Sequence, residues 1–362
     1  MLRSKLKNKA NKTGNPEDLL NYKRMKNLVV AMNRKTKKSF FAQAADSPKC
    51  FWKAIKHHFG GKNCMSEERI LLVDGENITS NEAELSLTFN NFFNSITDSL
   101  KLPAIPKLNV TAEDPVSAAI ANYADHESVV NIRNSCKTQE LFELSKITRE
   151  TLVKEVVTLN LRKAVSGPIP IKALKIAIFE CADHLTEIFN TYIVDRSIFP
   201  DELKLAEIIP IHKKDSTTDK ANYRPISLLP VISKVFERLI MKQIEPFINN
   251  HLSKFLCGFR KGYSCQYALL NMIRAWQASL RKSGTVGAVL MDLSKAFDCL
   301  PHDLLIAKLE AYGLGRKTLN FFYSYLSHRR HYTKVGSSIN TILEIILGVS
   351  HGSALGPLLF NI

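Results

Sequence analysis

The chain has 362 residues, of which 45% are hydrophobic and 23% are charged, a composition typical of a globular protein with one to three domains. No apolar run approaches the roughly 18 residues that a membrane-spanning helix needs, and the first residues lack the apolar core of a signal peptide. We therefore expect an intracellular protein, in the nucleus or the cytoplasm, with no membrane segment. The seven scattered cysteines contain no C-x-x-C pair, so they do not indicate a zinc site or a disulfide framework.

Positive charge is concentrated at the start of the chain. Residues 1–62 hold 16 lysines and arginines against three acids, a net charge of +13, which leaves +3 for the other 300 residues. A basic arm suits a polyanion, because each phosphate it neutralises releases condensed counterions. A solvated basic tail explains the charge equally well, and the run Arg34–Lys38 also fits a nuclear import signal.

The first 146 residues have a mixed pattern. Residues 1–62 have apolar residues at helical spacing, which predicts one or two amphipathic helices with a basic outer face, and a further short helix around Phe51. Next come a predicted hairpin at 70–80, with Asp74-Gly75 as its turn, and a helix at 82–100. We predict a basic, mostly helical extension over 1–105 and a linker over 106–146.

The pattern becomes more regular from residue 147 onward. Thr148 is a candidate helix cap, with Glu150 close behind it. The following elements are predicted in chain order: a helix at 172–196, a strand–basic tip–strand hairpin at 206–230, a helix at 231–252, and a buried apolar strand at 285–293.

Asp292 stands at the end of this last predicted strand. A carboxylate in a buried position is costly unless a cation or hydrogen bonds compensate it. Metal coordination is one such compensation, and capping of the following helix is another. The position alone leaves both open.

The segment DLSKAFD (292–298) resembles the first catalytic motif of reverse transcriptases. In that family the first aspartate binds Mg²⁺, and an aromatic ring five positions later lies under the nucleotide sugar. The resemblance implies that Asp292 is a catalytic metal ligand and that Phe297 excludes a 2′-hydroxyl, which selects deoxynucleotides. A core phenylalanine is the alternative for Phe297. Asp298 and His302 are four residues apart, so we predict a structural hydrogen bond between them on one helical face.

Basic side chains precede this motif. The predicted hairpin resembles the fingertip hairpin of reverse transcriptases, which implies that Lys213 and Arg224 contact the phosphates of the incoming nucleotide. Solvated loop residues are the alternative. In CGFRKGYSC (257–265), Arg260 is expected to bind the template backbone or a neighbouring acid.

The segment GVSHGSALGPLLFNI (348–362) resembles the family's glycine-rich turn and helix under the templating base pair. Gly352 would allow the backbone to approach the nucleotide closely. The family usually has a glutamine that contacts the nucleotide where this chain has His351, so we expect His351 in the nucleotide site.

These motifs occur in the family order over 147–362. Their amino-acid sequences, for example NYRPISLLPVISKVFERLI and MDLSKAFDCLPHDLL, resemble those of the non-LTR (LINE-like, jockey-type) retrotransposon reverse transcriptases. The resemblance implies an α+β fold, the fingers and part of the palm of a right-hand polymerase, behind the helical extension. It also implies RNA-templated DNA synthesis from dNTPs with Mg²⁺, an RNA template, and a DNA primer or target.

The family's Asp-Asp motif is not found in these 362 residues. Two-metal phosphoryl transfer needs carboxylates that Asp292 alone does not supply. We therefore expect a C-terminally truncated copy without polymerase activity. One alternative is a non-catalytic RNA- or DNA-binding remnant of such an element. The other is an RNA-dependent RNA polymerase, against which Phe297 argues because those enzymes accept the 2′-hydroxyl.

Overall fold

The structure is a computed structural model that describes residues 2–45, 70–74, 77–97, 114–136, 141–293 and 295–362. The chain forms two compact units, Met1–Arg69 and Ile70–Ile362, which we call the N-terminal unit and the main unit. The predicted helix around Phe51 and the Gly75 turn lie outside the described residues.

The N-terminal unit contains two helices, α1 (Leu2–Thr13) and α2 (Pro16–Ala45), in agreement with the predicted helical arm. The amine of Lys9 lies 3.0 Å from a carboxylate oxygen of Asp18 and joins the two helices.

The main unit is an α+β structure, as predicted. Its helices are α3 (Glu82–Asn94), α4 (Pro115–Asn122), α5 (Glu127–Ser135), α6 (Arg149–Val157), α7 (Ile171–Ile188, continued by π-helical turns at Phe189–Asp195), α8 (Val231–Asn249), α9 (Cys265–Arg281), α10 (His302–Ala311), α11 (Arg316–Leu326) and α12 (Gly356–Asn361). No helix among the described residues is both long and apolar enough to cross a membrane.

The strands form a two-stranded hairpin and a larger mixed sheet. They are β1 (Leu72–Asp74), β2 (Asn77–Thr79), β3 (Leu205–His212), β4 (Tyr223–Leu228), β5 (Arg329–Val335), β6 (Ser338–Ile339) and β7 (Leu343–Ile345). In the larger sheet β3 pairs with β4 antiparallel and with β5 in parallel, and β6 and β7 both pair with β5 antiparallel. The predicted hairpins at 70–80 and 206–230 are therefore confirmed.

The predicted boundary of the extension at residue 105 is wrong, because 70–97 packs within the main unit. The ring of Phe89 in α3 is fully buried, 4.9 Å from the ring centroid of Tyr223 in β4. The hydroxyl of Ser86 donates a 2.7 Å hydrogen bond to the carbonyl of Thr333 in β5. The helix thus covers one face of the sheet.

The prediction of a linker over 106–146 is also wrong for the part that the structure describes. Helices α4 and α5 pack against α10, and Val129 is fully buried beside Ala307. A 2.8 Å ion pair joins Arg133 to Glu310. The prolines of this region suggested a linker, but Pro115 begins α4, where its missing N–H costs no hydrogen bond.

The main core lies between α6, α7, α8, α11 and the glycine-rich end of the chain. Thr148 caps α6 as predicted, since its hydroxyl accepts a hydrogen bond from the amide of Thr151. Helix α8 buries one face, with Phe236 edge-on to Phe189 of the π-helical turns at 5.3 Å. This packing holds in place the helices that support the glycine-rich end of the chain.

The predicted buried strand at 285–293 is wrong. These residues have no regular secondary structure, and Val289, Leu290 and Met291 are 88–91% exposed. The neighbouring helix α9 has no buried residue either. The apolar pattern is present, but no described strand pairs with the segment, and an unpaired backbone cannot form a ladder.

Candidate nucleotide and nucleic-acid site

The tip of the β3–β4 hairpin carries two of the predicted phosphate ligands. Arg224 pairs with Ile211 in the ladder, and the amide of Lys213 donates a 2.9 Å hydrogen bond to the carbonyl of Asn222. Both basic side chains are exposed. The tip is anchored by β1, because the amide of Val73 donates to the carbonyl of Thr218 at 2.8 Å. The hairpin therefore presents cations on a fixed support.

Phe297 lies in a turn that closes with a 2.9 Å hydrogen bond from the amide of Asp298 to the carbonyl of Lys295. Its ring stacks on that of Phe360, with centroids 4.8 Å apart and planes at 16°, and Phe259 meets it edge-on at 5.8 Å. The ring is half-buried, so one part packs and another part faces outward.

His351 approaches the same aromatic ring. Its Nε2 donates a 3.0 Å hydrogen bond to a carboxylate oxygen of Asp298, and its ring centroid lies 5.2 Å from that of Phe297. The predicted bond between Asp298 and His302 is wrong. Pro301 precedes α10, so the two residues are not on one helix, and His302 instead donates to the carbonyl of Gly348 at 2.7 Å.

Lys295 is a site residue that sequence reasoning missed. Burial lowers the pKa of Lys295, Asp298 raises it, and Lys213 lowers it again, so these charged groups lie within electrostatic reach of one another. The amine also lies 5.6 Å from the ring centroid of Phe92. In the sequence, only the position of Lys295 between Asp292 and Phe297 in the motif could have indicated that it belongs to the candidate site.

Gly352 has a φ of +117°, which side chains other than glycine rarely adopt. A Cβ at this position would lie 2.7 Å from the carbonyl oxygen of Ser227 in β4. The amide of Ser227 donates in turn to the carbonyl of His351 at 2.7 Å. Contact with β4 thus already accounts for the glycine, and its contact with a nucleotide stays a prediction.

A buried carboxylate that the sequence did not indicate holds the glycine-rich turn. Glu237 of α8 is fully buried and accepts a 2.6 Å hydrogen bond from the amide of Ala354. It also accepts one from the hydroxyl of Tyr325 at 2.9 Å. Burial raises the pKa of Glu237, and the nearby guanidinium of Arg329 opposes that change. The turn is thereby tied to α8 and α11.

Arg260 is placed differently from the prediction. Its side chain is buried and donates to the carbonyls of Ser253 and Leu256 and to the side-chain and backbone oxygens of Asn249, at 2.7–3.1 Å. Its guanidinium also stacks 4.2 Å above the ring of Tyr263. The residue satisfies carbonyl groups at the end of α8. Four of its five donors are used this way, which leaves one for the predicted template or acid contact.

Asp292 is exposed at the end of the irregular 284–293 segment. Among the described residues, no group of three or more histidine, cysteine, aspartate or glutamate side chains could hold a metal ion. Asp292 itself supplies one carboxylate, and two-metal phosphoryl transfer needs more than one.

Part of the chain matches a known protein family. Residues 211–362 match the family described as "Reverse transcriptase (RNA-dependent DNA polymerase)". This match and the relatives described next support a reverse transcriptase of the non-LTR retrotransposon type over this part of the chain. The matched region begins inside β3 and includes the hairpin tip, Phe297 and the glycine-rich turn.

Three relatives illustrate the match. The RNA-directed DNA polymerase from mobile element jockey of Drosophila melanogaster is 32% identical over 224 residues, which cover 60% of this chain and 24% of the relative. The probable RNA-directed DNA polymerase from transposon X-element of the same fly is 34% identical over 180 residues, 49% of this chain and 20% of the relative. The Pol polyprotein from the retrotransposable element R2 of Popillia japonica is 28% identical over 152 residues, 42% of this chain and 21% of the relative. The chain thus spans about a quarter or less of the length of these relatives.

Proposed function

We propose that this reverse transcriptase copies an RNA template into DNA in the nucleus or cytoplasm, extending a DNA 3′-hydroxyl with dNTPs. The observation that carries the proposal is one constellation, in which the half-buried ring of Phe297 contacts His351 and His351 donates a hydrogen bond to Asp298. A basic hairpin, an aromatic platform and a glycine-rich turn are the parts that nucleotide selection and phosphate neutralisation need.

Each part has a separate task in the proposal. Lys213, Arg224 and Lys295 neutralise the triphosphate as pyrophosphate leaves. The exposed part of the Phe297 ring lies under the deoxyribose and excludes a 2′-hydroxyl. His351, oriented by Asp298, contacts the nucleotide from the turn.

Reverse transcriptases as a family use divalent metal ions. We propose that Asp292 is a ligand for Mg²⁺, which would orient the triphosphate and neutralise its charge. We expect a polypeptide of these 362 residues alone to show no incorporation of dNTPs, because Asp292 does not complete a two-metal site. Incorporation on a primed RNA template by that polypeptide would contradict this expectation.

A test of the nucleotide site compares the binding of dTTP and UTP to the protein on a poly(rA)–oligo(dT) duplex. We expect wild-type protein to prefer dTTP and Phe297→Ala to lose that preference, because the ring no longer meets the 2′-hydroxyl. Phe259→Ala is the matched control, since that ring is 60% exposed and touches Phe297 only at its edge. Unchanged discrimination in Phe297→Ala would remove Phe297 from the proposal.

Nucleic-acid binding without catalysis is the second candidate, and the charge of +13 in residues 1–62 favours it. Salt-dependent RNA binding that survives Asp292→Asn, without discrimination between dTTP and UTP, would support this candidate over the first.

A further inference from the structure

A cavity of about 100 Å³ lies behind the glycine-rich turn. Gly352–Ala354 of the turn line it together with three cationic residues, Lys163, Lys234 and Arg238. The remaining lining is mostly apolar, with Asn160 as a further polar residue, and none of the described lining residues is a carboxylate. This space can hold several waters or one small anionic group.

The charges of these cations are unequally compensated. Arg238 forms an ion pair with Glu155, which is fully buried and also pairs with Lys242. Lys234 donates a 2.6 Å hydrogen bond to the carbonyl of Ala164, a neutral partner. No ion pair of Lys163 or Lys234 is found in the part of the chain that the structure describes.

The surroundings of Lys234 affect its charge. Burial lowers the pKa of Lys234, Glu237 beneath the turn raises it, and Lys163 lowers it again. An anion in the cavity would stabilise the charged form of both lysines. Lys163 is exposed and Lys234 is half-buried, so the anion can enter from solvent and can belong to a polymer.

The cavity lies close to the candidate nucleotide site, which favours a nucleic-acid strand as the polymer. His351 touches Phe297 and Asp298, and the next three residues line the cavity, so one short turn separates the two sites. Three Cα–Cα steps span at most about 11 Å. A nucleic-acid strand rises about 3.4 Å per nucleotide, so roughly three nucleotides cover that distance.

We propose that Lys163 and Lys234 bind a phosphodiester of the RNA strand that passes over the glycine-rich turn. This inference rests on the proposed function, because it takes RNA as a partner. It assigns a phosphate subsite to two lysines for which the family resemblance implied no role.

The first test measures RNA affinity against salt concentration for wild-type protein and Lys163→Ala/Lys234→Ala. We expect the double variant to bind single-stranded RNA several-fold more weakly, with a log–log salt slope smaller by about 0.7, the value for one phosphate contact on a single strand. Lys317→Ala, an exposed lysine of α11 that does not line the cavity, should keep the wild-type slope.

The outcomes separate the two proposals. Equal slopes in wild type and the double variant would overturn the subsite while leaving RNA binding intact. Absence of RNA binding in wild type would overturn the proposed function together with the subsite.

A second test needs no variant and therefore does not depend on its folding. The rates at which Lys163 and Lys234 of wild-type protein are acetylated are measured by mass spectrometry with RNA and with inorganic phosphate alone. We expect RNA to slow both reactions. Protection by inorganic phosphate but not by RNA would identify a site for a small free anion and would overturn the strand assignment.

Discussion

Strand β3 and the segment 284–293 are two apolar stretches of similar length in the main unit, and they differ in how they pack. The first six residues of β3 alternate between half-buried and buried, and β4 and β5 pair with its two edges. In 284–293 the side chains of Val289, Leu290 and Met291 are 88–91% exposed. The difference shows that an apolar pattern specifies a strand only when neighbouring strands satisfy its backbone.

The largest change in the free energy of unfolding should come from replacing Glu237, the buried carboxylate in the packed part of the main unit. Glu237→Ala should lower the free energy of unfolding by about 2–6 kcal/mol, because the amide of Ala354 and the buried hydroxyl of Tyr325 lose their acceptor, at about 1–3 kcal/mol each. Urea denaturation measures this value. Asp292→Asn, in the exposed segment, should change it by less than about 0.5 kcal/mol.

The same substitution, leucine to alanine, can be made in the packed core and in the segment 284–293. Leu239 is 2% exposed and Leu290 is 91% exposed. Leu239→Ala should lower the free energy of unfolding by about 2–5 kcal/mol through lost burial and a cavity. Leu290→Ala should cost less than about 0.5 kcal/mol. Equal losses in the two variants would mean that 284–293 is packed in solution.

The packed region should also respond to acid. Burial lowers the pKa of His331 to about 4, and neither ring nitrogen has a hydrogen-bond partner. Between pH 6.5 and 4 the imidazole of His331 is protonated in the unfolded chain but neutral in the folded protein. The free energy of unfolding therefore decreases as the pH falls, by up to about 1.4 kcal/mol per pH unit. In His331→Leu this slope should flatten, while above pH 7 the two curves should run parallel. Identical slopes below pH 6.5 would contradict the buried placement.

The smallest effect concerns a cap. Thr148→Ala should cost about 1 kcal/mol, because the amide of Thr151 loses its acceptor at the start of α6. Thr148→Ser keeps a hydroxyl and should cost less. A chemical denaturation series on the three proteins resolves the difference, and a loss equal in both variants would argue against the capping bond.

Local signals predicted the local structure of this protein well. The cap at Thr148 and the hairpin that carries Lys213 depend on short-range chemistry, and both are present. Contacts between distant parts of the chain could not be read in this way. Glu237 meets Ala354 across 117 residues, and no pattern around either residue announces the contact.

The candidate site shows the same division. Phe297 lies beside His351 of the glycine-rich turn, and the neighbouring Asp298 contacts His351 and not His302, which is nearer in sequence. Arg260 is basic and follows a phenylalanine, as the family resemblance requires, yet its donors are taken up by the end of α8. Residue type indicates which chemistry is available, whereas tertiary packing decides where it is used.

Photo-cross-linking of a photoreactive dTTP analogue, on a poly(rA)–oligo(dT) duplex with Mg²⁺, tests the central claim most directly. The account predicts that peptide mapping by mass spectrometry finds adducts on the hairpin tip at 211–224, on the Phe297 turn at 295–298, and on the glycine-rich turn at 348–352. Adducts confined to other parts of the chain, such as helix α9, would contradict the claim that these three segments form one nucleotide site.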